Sequence, residues 1–105
     1  MINTILTATG LPYRETRFTR PPAGTYIVYM DDVETDGPDY MPTVLLHGVT
    51  LEVYEPKPDP QAEASIEAAI AAAGLQYRKQ ARYWLQEEQR YQVIYEFDYT
   101  EKRRT

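Results

Sequence analysis

Hydrophobic positions near the start of the chain fall at helical spacing. Ile2, Ile5, Leu6 and Thr9 share one face, and Gly10 followed by Pro12 stops the run, which predicts a short amphipathic helix. Residues 13–18 read as a strand, closed by Arg20, Pro21, Pro22, Ala23 and Gly24, where two prolines deny ladder donors and force a turn. Residues 25–31, TYIVYMD, are dense in β-branched and aromatic side chains and predict a strand buried on both faces near its centre. Residues 43–54 alternate, with Leu45, Val49, Leu51 and Val53 on one face and Thr50, Glu52 and Tyr54 on the other. Gly48 interrupts that run and predicts a bulge or a close backbone approach.

A helix start follows, because Asp59 is a capping residue and Pro60 suits the first helical position. Ala62, Ile66, Ala69, Ile70 and Ala73 form its apolar face, Glu63 and Glu67 lie on another, and Gly74 ends it. Two strands are then expected, over residues 77–87 and 90–99, joined by a short polar link at Glu88 and Gln89 into an antiparallel hairpin. The second has the cleanest alternation in the chain, with Tyr91, Val93, Tyr95, Phe97 and Tyr99 on one side. The order αβββαββ predicts an α+β fold, a mostly antiparallel sheet with helix packed on one face.

Length makes this one domain over residues 1–105, with residues 100–105 expected as a flexible basic tail. The longest apolar run, residues 68–73, is far short of the ~20 residues of a membrane span. The first ten residues lack the basic and apolar regions of a secretory signal, so the chain is expected to begin as mature protein. Eleven Lys and Arg against sixteen Asp and Glu leave a net charge of −5, which disfavours specific nucleic-acid binding. With no cysteine, thiolate chemistry, disulfides and Cys-based metal sites are excluded. Ten tyrosines against two phenylalanines suit half-wet sheet faces and subunit contacts.

Charge placement says more than the total. Asp31, Asp32, Glu34, Asp36 and Asp39 crowd residues 31–40, which end at Tyr40 and contain no base, so this segment reads as an exposed acidic loop. It lacks the EF-hand register and the closing Glu. Lys102, Arg103 and Arg104 make the far end of the chain basic, and opposite patches of this kind suit head-to-tail association, which closes into a ring. Arg14, Arg17 and Arg20 are candidate partners of the acidic segment, and Trp84 marks a second candidate contact face. His47, the only histidine, has no second His or Cys to complete a zinc set, and a structural or interfacial role is expected for it. No phosphate-cradling glycine motif occurs. Neither a cofactor, a metal nor a catalytic residue is expected, and the chain does not read as an enzyme.

The order of these pieces resembles small neck proteins of tailed phages and prophages, the tail-completion proteins and especially the tail terminators of long non-contractile tails. Carrying the likeness are the helix ending at Gly10, Leu11, Pro12 and Tyr13, the strand TYIVYM, the acidic segment to Tyr40, VTLEVYEPKPDP, AAGLQY and RYQVIYEFDY. The resemblance implies an α+β subunit of a homo-oligomeric ring, usually hexameric, that caps the tail tube and presents a surface to the head connector. It implies partners in the tail tube protein and the connector or stopper protein, with no membrane partner. It also implies a virion location after assembly in the host bacterial cytoplasm, and DNA passing through the lumen without being specifically bound.

Two other readings stand beside it: a head-side completion or stopper protein of the same neck, and a monomeric acidic adaptor or inhibitor that docks on a host protein through Trp84 and its tyrosines. A small hydrolase would rest on His47 and scattered acids alone.

Overall fold

The computed structural model describes residues 1–36 and 43–103. Two helices, α1 (Ile2–Ala8) and α2 (Pro60–Ala72), accompany six strands: β1 (Tyr13–Glu15), β2 (Tyr26–Asp36), β3 (Thr43–Glu55), β4 (Arg78–Lys79), β5 (Tyr83–Leu85) and β6 (Arg90–Arg103). They form a single sheet in the order β1-β2-β3-β6-β4, with β5 also paired to β6. Only β1 and β2 run parallel; every other pairing is antiparallel. This is the expected α+β class with a mostly antiparallel sheet.

Alternation decides which face is core. Ile27 on β2, Val49, Leu51 and Val53 on β3, and Val93, Tyr95 and Phe97 on β6 point to one side and pack against Ile5 and Leu6 of α1 and Ile66, Ala69 and Ile70 of α2. The register in β3 carries odd-numbered residues to that face from His47 through Glu55 without a break. Gly48 therefore makes no bulge; it pairs in register with Asp32 and Asp98. An added Cβ there would meet Asp98 Oδ1 at 3.7 Å and the Asp32 carbonyl at 3.8 Å, ordinary contacts, so the strand tolerates the position without rearranging.

The start of α2 is built as its sequence implies. Asp59 accepts a bond from the Ala62 amide at 3.1 Å and another from the Thr25 hydroxyl at 2.7 Å, so one carboxylate caps the helix and ties it to the start of β2. Gly74 ends the helix region at φ +77°, a conformation that a side chain disfavours.

Four expectations change. Strand β1 stops at Glu15, because Thr16 turns out at φ +69° and donates its amide to the Tyr29 carbonyl at 2.9 Å. Residues 31–36, expected in a loop, continue β2 and pair with β3, Asp36 lying opposite Val44. Asp32 and Glu34 stand exposed at the margin of the sheet, where charge need not be buried, so composition alone misleads. The strand expected over residues 77–87 is broken into β4 and β5. Arg78 pairs with Glu96 and Lys79 with Tyr95, but Tyr83 pairs with Gln92, so three residues face two across the gap. This bulge lets Arg82 reach Glu55 and Glu63. Finally, Thr100 and Glu101 through Arg103 are no tail: they pair with Leu46 back to Thr43.

Candidate functional site

The long strands β2, β3 and β6 form a three-stranded arm beyond β1 and β4, in a molecule measuring 49 × 27 × 22 Å. β1 covers the outer side of β2 only as far as Tyr29, and β4 covers β6 only at Tyr95 and Glu96. Among the described residues no strand pairs with the outer side of β2 beyond Tyr29 or of β6 beyond Glu96. The arm thus presents two open edges.

The candidate acids divide between the arm's two faces. Asp32 and Glu34 are exposed on the face away from the helices. With Leu46, Gly48, Asp98 and Thr100 they line an open hollow of about 710 Å³ that also reaches Tyr99 and His47. Gly48 leaves the centre of the row Asp32–Gly48–Asp98 free of side chain, which opens the hollow. Asp31 faces the other way and is largely buried. Asp36 continues the ladder at the end of β2, while Asp39 and Tyr40 lie outside the described residues.

Asp31 holds His47. The buried imidazole meets Asp31 through Nδ1 at 2.9 Å and Glu101 through Nε2 at 3.1 Å, and lies flat on Tyr99 with ring centroids 4.2 Å apart. Carboxylates only accept, so two such bonds ask both ring nitrogens to donate, which is the imidazolium. Burial pulls the His47 pKa down, but its bonds to Asp31 and Glu101 and their charges outweigh it and the net shift is upward. Both nitrogens are engaged, and the ring fastens β2, β3 and β6 together across the arm.

Among the described residues, no hydrogen bond or ion pair joins Arg14, Arg17 or Arg20 to these acids. All three are exposed, on and just after β1, and Arg14 stands 6.0 Å from the Phe18 ring. Trp84 lies at the other end of the sheet, partly exposed beside the more exposed Tyr83. It packs edge-on to Tyr91 and donates Nε1–H to Gln86 at 3.0 Å. Lys102 is exposed near the end of β6, and Arg104 lies outside the described residues.

An ionic cluster around the buried Glu55 and Glu63 joins α2 to the last strands. Arg82 donates to Glu55 at 3.3 Å and to Glu63 at 2.6 Å; Lys79 reaches Glu63 at 2.9 Å and Glu67 at 2.7 Å; Tyr95 donates its hydroxyl to Glu67 at 2.7 Å. Burial and the neighbouring Glu63 push Glu55 well above the usual carboxylate range, and its Oε2 has no partner. Glu63 is also raised by burial, but Glu55, Lys79 and Arg82 more than reverse this and hold it low. Glu63, expected on a polar face, is therefore buried among charges. The sequence carried one signal for the cluster: the alternation that buries Val49, Leu51 and Val53 puts Glu55 on the same face.

Among the described residues, no group of three or more His, Asp or Glu is arranged to hold a metal ion, and no helix is long and apolar enough to cross a membrane.

The chain matches no protein-family model and no curated protein. Its fold is shared with a chain of a solved virion. A chain in the solved structure of the virion of a native gene transfer agent particle superposes with a TM-score of 0.59, over 94% of this chain and 82% of that one, at 16% identity. At that identity the likeness is one of fold, and it takes in nearly the whole chain.

Proposed function

We propose that this protein is a structural subunit of a phage-type virion, and specifically a tail terminator of the head-to-tail junction. Its copies close into a ring, hexameric as in the family it resembles, that caps the tail tube and offers a face to the head connector. The observation that carries the reading is the fold shared with a chain of a gene transfer agent virion across 94% of the present chain. Two further features support it. A sheet with open edges suits association with other subunits, and a chain of net charge −5 lines a passage for DNA without holding it. Such work needs shaped contacts rather than turnover, so no catalytic role is assigned to His47 or to the ionic cluster.

Native mass spectrometry and negative-stain imaging test this, on the protein alone and after mixing with its cognate tail tube protein. Rings, free or seated on tube ends, are expected. Binding to the connector but never to tubes would move the assignment to a head-side stopper, and a monomer that engages neither would overturn the virion reading.

A further inference from the structure

Backbone direction identifies which groups the open edges offer. The Ile27 amide donates to Pro12 and the Tyr29 carbonyl accepts from Thr16, so odd-numbered residues of β2 point their backbone groups outward. Past β1 these are Asp31, Val33 and Thr35. On β6 the Ile94 carbonyl accepts from the Gln80 amide, so even-numbered residues point outward, and beyond β4 these are Asp98, Thr100 and Lys102. Each edge carries a row of amides and carbonyls without a strand partner among the described residues, a template for strand addition.

Charge selects the partner. The open stretch of β2 carries Asp31, Asp32, Glu34 and Asp36 with no base, so two β2 edges laid together would set acids against acids. The open stretch of β6 ends in Lys102 and Arg103, and Lys102 stands level with Asp36 through Val44. Its exposed acid on the face shared with Asp32 and Glu34 is Asp98, which Arg78 approaches to 3.6 Å. β2 and β6 both run antiparallel to β3 and so run in the same direction.

Resting on the ring reading above, we propose that the subunits join edge to edge: the outer edge of β2 in one copy adds, in parallel, to the outer edge of β6 in the next. The contact is heterologous, each copy giving one edge and receiving the other, and repetition closes a ring when the rotation between neighbours closes. Lys102 of one copy then lies beside the Glu34 and Asp36 end of the neighbouring β2.

The cysteine-free chain permits a direct test. Glu34→Cys and Thr100→Cys, whose side chains share the face away from the helices, are made as separate proteins, mixed under conditions where the ring is seen, and treated with a short bismaleimide. Adjacent strands lie ~4.8 Å apart, within reach of the reagent. A covalent dimer is expected in the mixture and in neither variant alone. Cross-linking of Glu34→Cys with itself, of Thr100→Cys with itself, or of neither in the mixture overturns the proposal. As a second probe, Val33→Pro removes an outward amide and leaves the β2–β3 ladder its own donors. It is expected to lower association at least tenfold while the melting temperature of the monomer stays close to wild type; unchanged association would count against edge pairing. Rings that form without the mixed cross-link would sink edge pairing alone, whereas a monomer that engages neither tubes nor connector would sink the virion reading with it.

Discussion

Arg82→Met probes the ionic cluster around Glu55 and Glu63 most directly. The substitution keeps an apolar stem of similar length but removes the bonds to Glu55 at 3.3 Å and Glu63 at 2.6 Å. Glu63 retains Lys79 at 2.9 Å; Glu55, fully buried, loses its cation. A proton limits the damage. Neutralising a carboxyl of ordinary pKa ~4.3 at pH 7 costs ~3.7 kcal/mol, and Glu55 is already raised in the wild type, so part of that cost is present before the change. A bond to a charged group contributes ~1.5–3 kcal/mol, discounted here because Arg82 is 34% exposed. The expected loss at pH 7 is therefore ~2 kcal/mol, or roughly 10 °C in melting temperature for a domain of this size.

The pH dependence supplies the sharper check. A carboxyl whose folded pKa is raised contributes stability that is lost as pH rises through that value, and removing Arg82 raises Glu55 further, enlarging the loss at pH 7. Glu63, held low, contributes stability present above the usual carboxylate range and lost as pH falls; weakening its partners also matters only at higher pH. The Glu55 part fades by about pH 4, whereas the Glu63 part persists until pH falls toward about 2, so the defect should be smaller at about pH 4 than at pH 7 without vanishing there. Urea unfolding followed by circular dichroism at the two pH values measures it. A defect of the same size at both, or one below ~0.5 kcal/mol at pH 7, would refute the electrostatic account and leave packing as the cause.

Asp59→Ala should cost ~1–2 kcal/mol, since it removes both the α2 cap and the Thr25 bond, and thermal melting reads the loss. Leu51→Ala, at a position with no solvent exposure in the centre of the sheet, should cost ~2–5 kcal/mol by urea titration. Gly74→Ala places a side chain at φ +77° with no atom within 4 Å of its Cβ, so a loss of ~1 kcal/mol is expected from backbone conformation alone. His47 has its folded pKa raised, so its contribution is complete below the unfolded value of ~6.5 and is lost as pH rises through the folded one; His47→Gln should flatten the fall in stability across that window, as denaturant titrations at several pH values would register.

Local pattern revealed much of the fold and little of what the side chains do together. The alternation of Val93, Tyr95 and Phe97, the Asp59–Pro60 helix start and the Gly74 stop depend on neighbours a few residues away, and the structure has them as the pattern implies. The meeting of Asp31, His47 and Glu101 depends on which strands adjoin and in what register, information that no short window contains. Acidic composition hid the second half of β2, because a strand on the margin of a sheet tolerates charges that a buried one does not. Arg82 looked like part of an alternating strand, and only the added residue between β4 and β5 turns it toward Glu55.

The place of β6 also governs how the chain reaches this form. β3 lies in the middle of the sheet, yet one of its two neighbours is synthesised after every other described element, with Glu55 meeting Tyr91 and Thr43 meeting Arg103. Arg90 on the same strand donates to the carbonyls of Pro22, Ala23 and Gly24, more than sixty residues upstream. Until β6 arrives, half of the central strand's hydrogen-bonding groups and the part of the α2 face that meets Tyr95 have no native cover. Loop closure of that length slows folding and leaves an association-prone intermediate. A newly made chain is therefore at its stickiest just before its last strand docks, and that interval, rather than the finished fold, is where a chaperone would find it.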